Sequence, residues 1–152
     1  MATDVRNAEI HEILDRYHVR YEVRPYYVVW DQRPEGREPI EQRVNAGFDV
    51  DLYGALEKPQ FPLFHTDDAR AVVNYFESLA HEVQESVGQQ CTIEITPSQS
   101  LVLNPQEHFQ SQAMLQIRIS HERGLDQPAG PPEQEALKQI REALHELGAR
   151  EL

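Results

Sequence analysis

The chain has 152 residues, 26 acidic side chains against 14 basic ones, a formal net charge of −12 and a single cysteine, Cys91. Binding a polyphosphate needs clustered Lys and Arg, and the only lysines are Lys58 and Lys138, so nucleic acid is excluded as a partner. Anionic membranes are disfavoured in the same way, whereas solubility and basic partners are favoured.

No apolar run approaches the ~18 residues needed to cross a bilayer. The opening Met1-Ala2-Thr3-Asp4 has neither the basic start nor the apolar core of a secretory signal. A lone cysteine agrees with a reducing compartment, so the expected location is cytoplasmic, and no cofactor is implied.

In chain order, the spacing of Ile10, Ile13, Leu14 and Tyr17 predicts a helix from about Val5 to Tyr17, with Thr3 or Asp4 as its cap. A long strand follows. Its odd positions (Val19, Tyr21, Val23, Pro25, Tyr27, Val29) alternate with Arg20, Glu22, Arg24, Tyr26, Val28 and Trp30. Pro25 cannot donate to a ladder, which predicts an edge strand or a bulge there.

Arg33-Pro34-Glu35-Gly36 has turn chemistry and leads to a second strand. In that strand Val44, Ala46, Phe48, Val50 and Leu52 share one face, with Asn45, Gly47, Asp49 and Asp51 on the other. If the two apolar faces both point to the core, partners across the hairpin have numbers with an odd sum. Arg24 then lies beside Asp49 or Asp51, and Tyr26 or Val28 lies opposite Gly47.

The segment Lys58-Pro59-Gln60-Phe61-Pro62-Leu63-Phe64 is irregular but apolar, and is expected to pack on the domain. Thr66 caps the most clearly patterned element, a helix with Ala69, Val72, Val73, Phe76, Leu79, Ala80, Val83 and Val87 on one stripe and Gly88 at its end. Cys91, Ile93 and Ile95 alternate into a strand, and Pro97-Ser98-Gln99-Ser100 turns it into Leu101-Val102-Leu103. Ala113 to Ile119 forms one more strand. Pro132 opens a final helix whose Ala136, Leu137, Ile140, Ala143, Leu144 and Leu147 share a face, and Gly148 stops it.

The predicted class is therefore α+β, a mainly antiparallel sheet of about five strands packed by helices, in the order α-β-β-α-β-β-β-α. Residues 1–123 form the core domain and 124–132 a Pro/Gly linker. Residues 133–152 form a C-terminal helix that belongs to the same domain or is exchanged with a second subunit.

Asp49 and Asp51 share a strand face at a spacing of about 6 to 7 Å, close enough to hold a cation or divide acid and base roles. The plainer reading is an ion-paired face, with Arg24 neutralising one acid. His11-Glu12-Ile13-Leu14-Asp15 and His81-Glu82-Val83-Gln84-Glu85 imitate a zinc-protease helix but lack the second histidine, so they read as exposed charged faces. Cys91 reads as a small core residue, His65 as part of a helix start, and His108 and His121 have no partner visible in sequence. No nucleophile elbow, phosphate loop or dinucleotide fingerprint is present, and no residue is assigned a catalytic or metal-binding role.

The strongest functional lead is the side of the hairpin carrying Tyr26, Val28 and Trp30, with Tyr53, Val102 and Met114 joining it. A patch of this kind is covered by the last helix, by a second copy or by a ligand. The first expectation is a protein-interaction or chaperone-like module, a homodimer that binds through Tyr26, Val28, Trp30 and Tyr53. Small acidic α+β dimers that chaperone secreted proteins are similar in element order, although no residue motif carries that likeness. The second expectation is a small-molecule binder or hydrolytic enzyme with a cleft lined by Trp30, Arg24, Asp49 and Asp51.

Overall fold

Among the described residues there are three helices and five strands: α1 (Ala2–Arg16), β1 (Arg20–Gln32), β2 (Ile40–Tyr53), α2 (Thr66–Val87), β3 (Cys91–Pro97), β4 (Leu115–His121), α3 (Pro131–Glu146) and β5 (Arg150–Glu151). The computed structural model describes residues 2–32, 36, 40–53, 66–88, 91–97, 115–121 and 129–151, without the side chains of 2–6, 29–32, 40–43, 66 and 69. The expected strand Leu101–Leu103, the segment 58–64, and His65, Val102, His108 and Met114 lie outside the described residues.

The expected α+β class is observed, with strand order β3-β4-β2-β1-β5. All neighbours are antiparallel except β5, which runs parallel to β1 through Arg20↔Arg150 and Tyr21↔Glu151. A strand of two residues has no periodicity to read, and β5 went unforeseen. Two helix starts also differ from expectation. α1 begins at Ala2, which places Thr3 and Asp4 inside its first turn instead of at the cap, and α3 begins one residue early, at Pro131.

One sheet face carries the core. Tyr21, Val50, Leu52, Cys91, Ile93, Leu115, Ile117 and Ile119 meet the stripes of all three helices, among them Leu14, Phe76, Ile140 and Leu144. Cys91 is buried there, as its alternation predicts. Truncating a ring as enclosed as Phe76 typically costs about 3 to 5 kcal/mol. Polar ties join the layer: the Tyr17 hydroxyl donates to Asp68 at 2.9 Å and the Tyr75 hydroxyl to Asn7 at 2.9 Å. Beneath α3, the buried Tyr21 phenol is hydrogen-bonded with His145 Nε2 at 2.5 Å.

α1 and α3 end in the same way. Val19 N–H donates to Leu14 and His18 N–H to Asp15, while Ala149 N–H donates to Leu144 and Gly148 N–H to His145. Each is a Schellman turn around a residue of positive φ, His18 at 51° and Gly148 at 81°. Both turns deliver the chain to the same sheet edge, where β1 and β5 pair.

From Arg20 to Tyr26 the hairpin has the expected odd-sum register, with Arg24↔Asp49 and Tyr26↔Gly47. A bulge then leaves Ala46 without a partner of its own, and the pairing resumes as Tyr27↔Asn45 and Val28↔Val44. The sum is even from there on. Val44, expected on the core face with Val50, thus sits opposite Val28 on the other face, because an extra residue in one strand exchanges its faces.

The bulge sits beside a close approach of two strands. A Cβ on Gly47 would stand 1.7 Å from the Ile119 carbonyl oxygen of β4, so only glycine fits. The Asn45 side-chain oxygen accepts from Gly47 N–H at 3.0 Å, and Asn45 C=O accepts from Ala129 N–H at 2.8 Å, which ties the entry of α3 to the same point.

Gly47→Ala should therefore cost about 3 kcal/mol or more, read as a lowered urea midpoint, because backbone must move to make room. Burial, and after it the Glu151 carboxylate, push the Tyr21 phenol above its ordinary value of 10.0, with Arg141 opposing. The folded state then keeps this proton after the unfolded chain has released its own. The resulting stability is whole below about pH 10 and lost as pH climbs above it. Denaturation followed from pH 9 to 11 should show a shallower alkaline decline in Tyr21→Phe than in the wild type.

Candidate functional site

The face opposite the helices is built from even positions of β1, β3 and β4 and odd positions of β2. One cross-strand row reads Arg24, Asp49, Arg118, Glu94 and the next Glu22, Asp51, Gln116, Thr96. Alternation places these polar side chains on the side that none of the described helices covers, and antiparallel pairing stacks opposite charges across it.

Asp49 is gripped by its direct β4 neighbour: Arg118 Nε donates to Oδ1 at 2.8 Å and Nη2 to Oδ2 at 3.2 Å, a two-pronged contact. Arg24, displaced from its own register partner, reaches diagonally to Asp51 Oδ2, while Gln116 Nε2 donates to Asp51 Oδ1 at 3.0 Å. The Arg118 guanidinium also lies 4.0 Å from the centre of the Tyr26 ring, a cation–π contact. The Asp51 side chain is 0% exposed whereas Arg24 is 51% exposed, so a buried charge is neutralised by a partner lying across it.

These contacts set the electrostatics. Hydrogen bonding to Asp49 raises the Arg118 guanidinium above its ordinary value against the pull of burial. For Arg24, burial lowers it and the Asp51 hydrogen bond and charge more than offset this. Burial, followed by the charges of Asp51 and Glu22, holds the Tyr53 phenol high.

With both carboxylates occupied by donors, a cation at Asp49 or Asp51 would have to displace a guanidinium. No group of three or more His, Cys, Asp or Glu with metal-ligating geometry occurs among the described residues. His11 and His81 lie on exposed helix faces, His81 paired with Glu85 at 3.1 Å. His121 lies opposite Cys91 at the end of β4.

Arg24, Asp49 and Asp51 are thus brought together, joined by Arg118 and Gln116. The latter two belong to a strand whose place beside β2 could not be read from the hairpin alone, although their alternation with Ile117 and Ile119 put them on the outer face. Tyr26 and Val28 are close neighbours on β1, and Trp30 occupies the next position of the same parity, opposite Gln42. Tyr53 does not join them. It pairs with Arg20, six residues back along β1, which is roughly 20 Å of strand.

α3 packs its Ala136, Leu137, Ile140 and Leu144 into the core on the other face, so it does not cover Tyr26 and Val28, contrary to one of the three coverings weighed above. Beyond Gly47, the last residue of β2 paired with β4, six further pairs from Tyr27↔Asn45 to Gln32↔Ile40 continue as an arm that is two-stranded among the described residues. On that arm Tyr27 is 45% exposed. No protein-family model, curated protein or solved structure matches the chain.

Removing Arg24 leaves the buried Asp51 carboxylate with Gln116 alone, so Arg24→Ala should cost about 1 to 2 kcal/mol in chemical denaturation at pH 7. Adding Asp51→Asn removes the orphaned charge. The double variant should be more stable than the single one, an order that a merely additive pair of losses would reverse.

Proposed function

We propose that this chain is a protein-interaction module of the chaperone-like kind, which forms a homodimer through the arm of β1 and β2 and the adjoining sheet face bearing Tyr26, Val28 and Trp30. What carries the reading is the arm. A two-stranded ribbon is marginal in water by itself, and six residue pairs extend past β4 without a third strand among the described residues. A second copy would add both a neighbouring strand edge and an apolar cover.

Chemistry at the arm supports a protein partner. Val28 pairs with Val44, Trp30 is of the type that anchors interfaces, and on the other face of the same arm the Tyr27 ring is exposed. The ladder beside it supplies ordered guanidinium and aromatic groups: Arg24 pairs with Asp51 and Arg118 with Asp49, while Glu22 and Glu94 leave the two rows net negative. Tyr53, at the far end of the sheet, contributes to a larger partner footprint and not to the arm contact.

Light scattering coupled to size exclusion should give twice the 17.6 kDa chain mass. Trp30→Glu should shift the equilibrium to single chains, raising the dissociation constant about 30-fold or more, with an unchanged far-ultraviolet dichroism spectrum. A single-chain mass at every concentration up to the limit of solubility would reject the proposal.

A further inference from the structure

At the end of β1 remote from the arm, the Schellman turns after α1 and α3 enclose a cavity of about 270 Å³ lined by Asp15, His18, Arg20, Gly148 and Arg150, with Leu14 and Val19 beneath. Arg20 and Arg150 are direct partners in the parallel pairing of β1 with β5. Like charges set opposite one another repel, and a fold tolerates that where something outside the pair neutralises it.

No ion pair within the described chain does so, although Asp15 lines the same cavity. Arg16, Arg24, Arg118 and Arg141 each have a carboxylate partner, whereas Arg20 and Arg150, like the helical Arg70, have no ion pair or hydrogen bond among the described residues. Glu22, two positions along β1 on the same face, makes no ion pair with Arg20.

His18 supplies the independent observation. It is the described residue other than glycine with positive φ, at 51°, and it occupies the turn position that Gly148 fills in the twin turn. A glycine would sit there without strain. The histidine is kept at a cost, and it lines the cavity beside both arginines.

We propose that this cavity binds a phosphate group, free or as a monoester, held between the Arg20 and Arg150 guanidinium groups with His18 as a further donor. A phosphate monoester presents three terminal oxygens and close to two negative charges, which match the charges of two separate guanidinium forks where a carboxylate would match only one. The volume lies just under the lower bound of about 300 Å³ for small-molecule pockets, which suits a single phosphate and not a nucleotide. Asp15 on the rim opposes the anion, and the two arginines outnumber it. This site is independent of the arm and of the dimer.

Amide chemical shifts should be followed by NMR during titration with inorganic phosphate and, separately, with O-phosphoserine at low salt. Saturable shifts centred on His18, Arg20, Gly148 and Arg150 are expected, with a dissociation constant of about 1 mM or tighter. Arg20→Gln and Arg150→Gln, both at exposed positions, should each weaken binding about tenfold, Asp15→Asn should tighten it, and Lys138→Gln should leave it unchanged. His18→Gly should raise the melting temperature while weakening binding. Tighter binding of phosphoserine would identify a phosphorylated protein as the source of the group, and equal binding the free anion. No saturation by about 10 mM of either probe, or wild-type affinity in the Arg20→Gln and Arg150→Gln variants, would overturn the site.

Discussion

The backbones of β2 and β4 approach at Gly47 until the Ile119 carbonyl oxygen occupies the place where any other residue would carry its Cβ. Beside that contact β2 absorbs an extra residue, Ala46, and the bulge alters everything downstream of it. On one side the hairpin belongs to a four-stranded antiparallel surface with helices behind it. On the other it leaves β4 and continues as a ribbon whose apolar pair, Val28 and Val44, has changed faces. Asn45 pins the corner twice, once to Gly47 and once to Ala129, so the departure angle of the ribbon is linked to where α3 enters the core.

Charge is distributed unequally between the two layers, and this follows from burial as much as from composition. Acids such as Glu12, Glu77, Glu82, Glu85, Glu142 and Glu146 occupy exposed helical positions, where water screens them. On the sheet face opposite the helices Asp49 and Asp51 are buried and must be matched, and Arg118, Arg24 and Gln116 match them. An isolated surface pair contributes little. The value of this lattice lies in specificity, since an unmatched carboxylate in that position would be expensive and the strands have few other registers in which every acid finds a donor.

Much of this was legible because period-two and period-3.6 patterns survive in single sequences. The α2 stripe from Val72 to Val83, the core role of Cys91 and the odd-sum pairing that joins Arg24 to Asp49 all followed from alternation alone. The bulge was not legible, because Val44 and Ala46 continue the apolar alternation whether or not a residue is skipped. Only the partner strand reveals the close approach at Ile119. Arg118 was visible as an outward residue, but its grip on Asp49 depends on β4 lying beside β2, a choice that hairpin logic does not make. The covering of the hairpin by α3 failed for a related reason: an amphipathic stripe says that a helix packs, not on which face of a sheet it does so.

The least legible feature joins residues more than a hundred positions apart. Leu14 to Arg20 and Leu144 to Arg150 trace the same path, a last helical turn, a residue of positive φ, a small buried apolar side chain and an arginine, and the two paths end side by side. Parallel pairing at this point requires both turns to release the chain in the same direction, which is what two Schellman motifs on neighbouring helices accomplish. Where the two turns differ is then informative. At Gly148 a Cβ would meet only the end of the exposed His11 side chain, which can swing aside, so glycine there answers chiefly to φ. His18 does not, since its left-handed conformation is better served by glycine. A residue retained against its local preference, beside two arginines that the fold leaves opposed, is accounted for by what the cavity between the turns can hold and not by the turn itself.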